Sequence, residues 1–200
     1  SIYFDTGMFQ DQTSNSQVTL FNHPKLSKDG LDFIRSQSQY AQLMDTNFGG
    51  NQLTISIWAN LHSSGSWQRL IDFGQGASDD NVYIAFSGTS STMRLSIRDG
   101  STQIQNQNWL SDSSYNTWHH VAVVYNHDAN TCKLYIDGVS DGTSTTGGTI
   151  PTLVRNKSYI GRSNWTNDYL DGQIKSINIW QRALSPVEVA SLYDLGRDFN

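Results

Sequence analysis

The sequence predicts an all-β protein: a two-sheet antiparallel jelly-roll sandwich closed by one short C-terminal helix. Three observations carry that expectation. Strand-like segments recur at a spacing of roughly 8–15 residues, separated by Gly, Asn, Asp and Ser clusters. All of the 18 acidic residues except Glu188 are Asp, and Asp favours turns and caps where Glu favours helix interiors. Aromatic residues reach 12% while charged residues make up only 16%, the reverse of a disordered composition. A chain of 200 residues buries roughly 70% of its unfolded surface, so one domain over residues 1–200 is expected.

The elements follow in order. Leu53-Thr54-Ile55-Ser56-Ile57-Trp58 alternates cleanly, with Leu53, Ile55 and Ile57 on one face. Trp67 to Phe73 is a second strand and Val82 to Phe86 a third. In Met93 to Arg98, Met93, Leu95 and Ile97 point one way, and Arg94, Ser96 and Arg98 the other, which means one buried and one wet face. Trp118 to Tyr125 is more apolar, as a central strand would be. Cys132 to Ile136 follows a turn at Asn126–Asn130, and Asp137-Gly138 forms a tight turn into a strand at Val139. Thr143 to Thr149 is a polar loop, and Ile174 to Trp180 the last long strand. In Ser185-Pro186-Val187-Glu188 an N-cap Ser, a first-turn Pro and a Glu three residues after the cap form a capping box. Val189, Leu192 and Tyr193 then share a helix face, and Gly196 is expected to end the helix.

Composition excludes several classes. The 13 Lys and Arg are sparse and unclustered, which argues against nucleic acid. No run of about 18 apolar residues is present, so no membrane insertion is expected. A single Cys132 rules out an internal disulfide or a cysteine zinc site. The chain opens on strand-like Ser1–Asp5 without a visible signal peptide, as a mature form or a domain of a larger multidomain chain would.

Several segments carry a family likeness. They are Asp11–Asn15, Leu31–Phe33, Tyr40–Leu43, Leu53–Trp58, Thr117–Ala122 with Lys133–Gly138, and Gly172–Ile174 through Trp180–Ser185. In this order they resemble the concanavalin A-like jelly rolls, specifically the laminin-G-like and pentraxin-like branch. The resemblance covers nearly the whole chain and implies a fold that hosts lectins, adhesion domains and enzymes alike. It also implies a calcium site. Calcium takes six to eight oxygens from adaptable loops, and Asp80-Asn81 stands where the pentraxin loop has a calcium-binding Asp-Asn pair. Asp79, Asp80, Asn81 and Asp168 are therefore the expected metal ligands. Many relatives carry an Asp in the last strand for a second calcium; this chain has Lys175 there, so no metal is expected at that place.

Catalysis is not expected. Glycosidases need paired carboxylates, and Glu188 is committed to a helix cap. Polysaccharide lyases of this architecture need Arg, Gln, His and Tyr across strands, and His119-His120 with Arg94 or Arg98 and Tyr83 supplies only pieces of that set. No nucleophile-elbow motif is present. Cys132 alternates with Leu134 and Ile136 and reads as a core residue. Aromatics give the other candidate site. Trp58, Trp118 and Trp180 lie in strands and read as core, whereas Trp165 lies in a polar loop beside Asn164, Asn167 and Asp168. A Trp ring stacks on a sugar's C–H face while amides bind its hydroxyls, so Trp165, Asn164, Asn167 and Tyr83 are the expected ligand-binding residues. Asn156-Lys157-Ser158 and Asn164-Trp165-Thr166 are glycosylation sequons. The expectation is a non-catalytic, extracellular or cell-surface module binding a glycan or cell-surface glycoprotein at a loop rim, with calcium as cofactor. A structural or protein-binding adhesion domain is the alternative, and a polysaccharide-degrading hydrolase or lyase the third. The rim site requires that segments 75–81 and 162–168 meet at one edge of the sandwich.

Overall fold

The structure, a computed structural model, describes residues 2–5, 8–11, 18–90, 92–109 and 115–197, with side chains from residue 18 onward. Gln12–Asn15 of the opening motif lie outside the described residues, as does the Asp11 side chain.

Eighteen strands and one helix are described. The chain begins with β1 (Ile2–Asp5), β2 (Met8–Asp11), β3 (Val18–Phe21), β4 (Lys25–Ser27), β5 (Gly30–Phe33) and β6 (Tyr40–Leu43). It continues through β7 (Thr46–Gly50), β8 (Gln52–Leu61), β9 (Arg69–Gly74), β10 (Val82–Phe86), β11 (Met93–Asp99) and β12 (Thr102–Trp109). Then come β13 (Trp118–Asn126), β14 (Thr131–Ile136), β15 (Val139–Ser144), β16 (Ile150–Arg155), β17 (Lys157–Ile160), β18 (Gly172–Trp180) and α1 (Pro186–Arg197). All pairings are antiparallel. One sheet runs β15-β14-β13-β8-β18-β1-β2, with β5 beside β18 and β4 beside β5. The other runs β12-β11-β10-β9-β17-β6-β3, and β16 pairs with β7 alone. The expected two-sheet sandwich with its terminal helix is therefore the fold.

The alternation reads through to the packing. Leu53, Ile55 and Ile57 of β8 meet Ile71, Phe73, Ile84, Leu95 and Ile97 of the opposite sheet in one apolar core. Cys132 is fully buried in it, and burial pushes its thiol up to about 12, far above the range of a reactive thiolate. Helix α1 covers the outer face of the larger sheet, where Leu184 and Val189 join Ala122, Val124 and Tyr135 in a second small core. The capping box forms as expected: Glu188 N–H donates to Ser185 Oγ at 3.3 Å, and Ser185 N–H donates to Glu188 Oε2 at 2.8 Å.

One expectation needs correction. Gly196 does not end the helix but lies inside its last turn, where a Cβ would sit 2.1 Å from Trp58 Nε1. Its smallness serves close packing, not a left-handed cap. Trp109 ends β12, an Asn/Gln-rich strand paired with β11, and is buried.

Candidate functional site

The site is built on the polar face of the seven-stranded sheet. Along β11, Met93, Leu95 and Ile97 are buried in the core while Arg94 and Arg98 are only partly buried. Cross-strand register places Tyr83 of β10 opposite Asp72 of β9, and Ala85 opposite both Arg69 and Arg94. The register slips between Ile84 and Ala85, a bulge of the kind that re-aims side chains. Directly before β9, Trp67 takes a left-handed backbone, φ 57°, and its N–H donates to the Gly88 carbonyl at 2.8 Å. That conformation is uncommon for a large residue and is held by its surroundings.

The loop after β17 crosses this face. Arg162 packs over the rings of Tyr40 and Tyr159, each 4.6 Å from its guanidinium carbon. Asn164 donates from its backbone N–H to Asp72 Oδ2 at 2.9 Å and from its amide to Asp72 Oδ1 at 3.0 Å. Asn81, from the loop before β10, donates its own amide to the same Oδ1 at 3.0 Å. The two segments predicted to share an edge do so, and Asp72 is the carboxylate that joins them. Asp72 is fully buried, beside Arg69 Nε at 3.4 Å, and Arg69 is itself only 3% exposed. Burial pushes the Asp72 carboxyl above the ordinary range, and the Arg69 guanidinium and the Asn164 and Asn81 donors work against that push.

These contacts redirect the expected metal ligands. Asp80 Oδ1 accepts the Gly100 N–H at 2.6 Å, and Asp168 Oδ2 accepts the Ser66 N–H at 2.6 Å. Asn81 turns its amide nitrogen to Asp72 and its oxygen to the Asp79 N–H at 2.9 Å. Among the described residues no three His, Cys, Asp or Glu groups converge on one point. Arg155, fully buried, donates from Nε to the Asp80 carbonyl at 2.9 Å. It reaches the Phe48 and Pro151 carbonyls at 2.8 and 3.1 Å as well. A resident guanidinium beside Asp80 opposes a divalent cation, so the residues present do not fit the calcium expected from Asp79, Asp80, Asn81 and Asp168.

The expected ligand-binding residues fare differently. Tyr83 and Trp165 are brought together, ring centroids 5.7 Å apart and nearly perpendicular. With Trp67, Arg69, Arg94, Arg98, Thr166 and Asn167 they line an open groove of about 530 Å³. Guanidiniums lie over its rings: Arg69 over Tyr83 at 4.2 Å, Arg94 over Trp67 at 4.7 Å and Arg98 over Trp165 at 5.8 Å. Asn167 lines the groove while its Oδ1 accepts from Ser163 Oγ at 2.9 Å and Arg69 at 3.3 Å. Asn164 is the exception, its amide spent on Asp72 and on the Lys157 carbonyl at 3.1 Å. Among the described residues, no carboxylate lines the groove.

The remaining catalytic fragments are dispersed. His119 and His120 stand on β13, in the other sheet, apart from Tyr83 and the arginines. His119 Nδ1 pairs with Asp137 at 2.8 Å, and His120 Nε2 meets Ser56 Oγ at 2.7 Å in the interior. Glu188 pairs with Arg182 at 2.6 Å. Asp72 and Arg69 were missed by sequence reasoning. Their signal was an ionisable pair inside the otherwise apolar run Arg69-Leu70-Ile71-Asp72-Phe73.

The fold agrees with the sequence comparison. The chain belongs to the concanavalin A-like lectin/glucanases superfamily, matching its laminin G-like family model over residues 35–190. Among solved structures it is similar to domain 4 of AbnA, a GH43 extracellular arabinanase from Geobacillus stearothermophilus, in complex with arabinotriose. That match has 21% identity, TM-score 0.72 and 96% coverage of both chains. The botulinum neurotoxin serotype G binding domain matches with TM-score 0.80 at 14% identity, over 98% of this chain and 50% of that one. The serotype D ligand-binding domain in complex with N-acetylneuraminic acid gives TM-score 0.73 at 14% identity, over 96% of this chain and 49% of that one. The chain thus spans about half of the neurotoxin domains. A search of curated protein sequences finds no significant match.

Proposed function

We propose that this chain is a non-catalytic carbohydrate-binding module, working outside the cell or at its surface as part of a larger protein. The observation that carries this reading is the Trp67–Tyr83–Trp165 groove. It sets the partly exposed rings of Trp67 and Trp165, with the buried Tyr83 packed beside Trp165, among convergent polar groups from Arg94, Arg98, Thr166 and Asn167, the composition that orients a sugar. The arabinotriose complex of the GH43 domain supports the class of ligand. Non-catalytic action is the reading favoured by a groove whose described lining holds no carboxylate and by the placement of both histidines in the other sheet.

A glycan array followed by calorimetry on the best binder tests the reading. Retention of oligosaccharides is expected, unchanged by EDTA. Trp165→Ala is expected to weaken binding roughly 30-fold, the effect of losing a contact worth about 2 kcal/mol. Absence of any glycan binder would overturn the reading in favour of a protein-binding adhesion domain. Release of unsaturated or reducing products from polysaccharides would overturn its non-catalytic part.

A further inference from the structure

The groove's charge is out of keeping with the rest of the molecule. The chain carries a net charge of −5, with 13 Lys and Arg in all, yet among the described residues three arginines line this one depression and no acidic residue does. Their charges are not equivalent. Arg69 is buried against Asp72, so its positive charge is offset from beneath. Arg94 and Arg98 are steadied by neutral acceptors instead: Arg94 Nε donates to Asn108 Oδ1 at 2.6 Å, and Arg98 donates to the Ser101 carbonyl at 2.6 Å. Arg98 Nε is buried and has no hydrogen-bond acceptor. Arg94 and Arg98 as whole residues are each partly exposed, so their guanidiniums can also donate to an anionic oxygen entering the groove.

Resting on the carbohydrate-binding reading, we propose that the groove selects acidic glycans, with carboxylate or sulfate groups held by Arg94 and Arg98 and sugar rings set against Trp67 and Trp165. The planar guanidinium suits both oxyanions, because its paired N–H groups match two oxygens at once. The two arginines share a face of β11 four residues apart, which separates their backbones by roughly 13 Å. Each stands over a different Trp. The groove therefore has two anion-binding ends, and a chain bearing acid groups on more than one sugar engages both where an acidic monosaccharide engages one.

Calorimetry at two salt concentrations tests this with matched probes. Oligogalacturonate is compared with its methyl ester, sialyllactose with lactose, and a heparin oligosaccharide with its desulfated form. At least one acidic member is expected to bind tenfold or more tighter than its neutral partner. That preference is expected to shrink at high salt, and the oligomer is expected to exceed galacturonic acid itself. The first two pairs report carboxylate and the third sulfate. Arg94→Gln with Arg98→Gln is expected to abolish the preference, so that the acidic and neutral members of a pair bind alike, whereas Trp165→Ala weakens both members of a pair. Should that variant fail to fold, the salt dependence and paired probes on the unaltered protein decide alone. Equal, Trp165-dependent binding of acidic and neutral partners would overturn the selectivity and leave the carbohydrate-binding reading intact. Binding of none of the six would overturn both.

Discussion

Asp72 shows how one side chain can organise two loops. Four N–H donors converge on it, from Arg69, Asn81 and Asn164, and none of its surface is exposed. Removing one partner of a buried ion pair leaves the other uncompensated, so Asp72→Ala is expected to cost roughly 3–5 kcal/mol, read by urea unfolding. The same pin decides between the sequons. Asn156 is exposed, but the Asn164 amide is committed to Asp72 and Lys157. Expressed through a eukaryotic secretory pathway, the chain is expected to carry glycan at Asn156 and none at Asn164, as mass spectrometry of tryptic peptides would show. His120 supplies a pH dependence. Burial lowers it from 6.5 to about 4, against the pull of Asp137. The folded state therefore refuses a proton that the unfolded chain accepts. Stability is complete above pH 6.5 and falls as pH drops towards 4, by about 3 kcal/mol over that interval. Denaturation midpoints across the range are expected to show this slope, and His120→Gln to flatten it. At this scale the sequence revealed the aromatic half of the site better than the polar half. Trp165 and Tyr83 stand out by type, whereas Asn81, Asn164 and Asp168 look like ligands and act as staples, because a hydrogen-bonding partner is a tertiary fact.

Among the elements, several strands were legible to within a residue: β10 matches its expected bounds, and β11 and β14 each differ by one residue at one end, whereas β8 runs three residues past its expected end. Strand β12 was not legible, because its Asn- and Gln-rich run has poor intrinsic β preference and gains its place by pairing with β11. Helix α1 was legible from its cap, and its end was not. Helix propensity alone rates Gly196→Ala as a gain of about 1 kcal/mol. The indole of Trp58, stacked at 5.7 Å on Tyr193, occupies the space a methyl would need. Gly196→Ala is therefore expected to lower the melting temperature, and a rise would show that the last turn can move aside. Glu188, held near 2 by Arg182 and by the Ser185 donors, has a pKa below its unfolded value of 4.5. Its support for the helix is present above pH 4.5 and lost as pH falls through about 2.

For the whole molecule, the architecture was readable because every level agreed: turn chemistry, alternation, aromatic content and a terminal capping box. The ligand was less readable, since a face shared by β9, β10, β11 and a distant loop exists only after folding. One consequence concerns Arg155. By carrying its own cation into the loop end and tying four peptide oxygens to it, the chain becomes self-sufficient in counter-charge. Such a joint cannot be stripped by a chelator or thinned by dilution, and the neighbouring surface keeps its outline in soft water and brine alike.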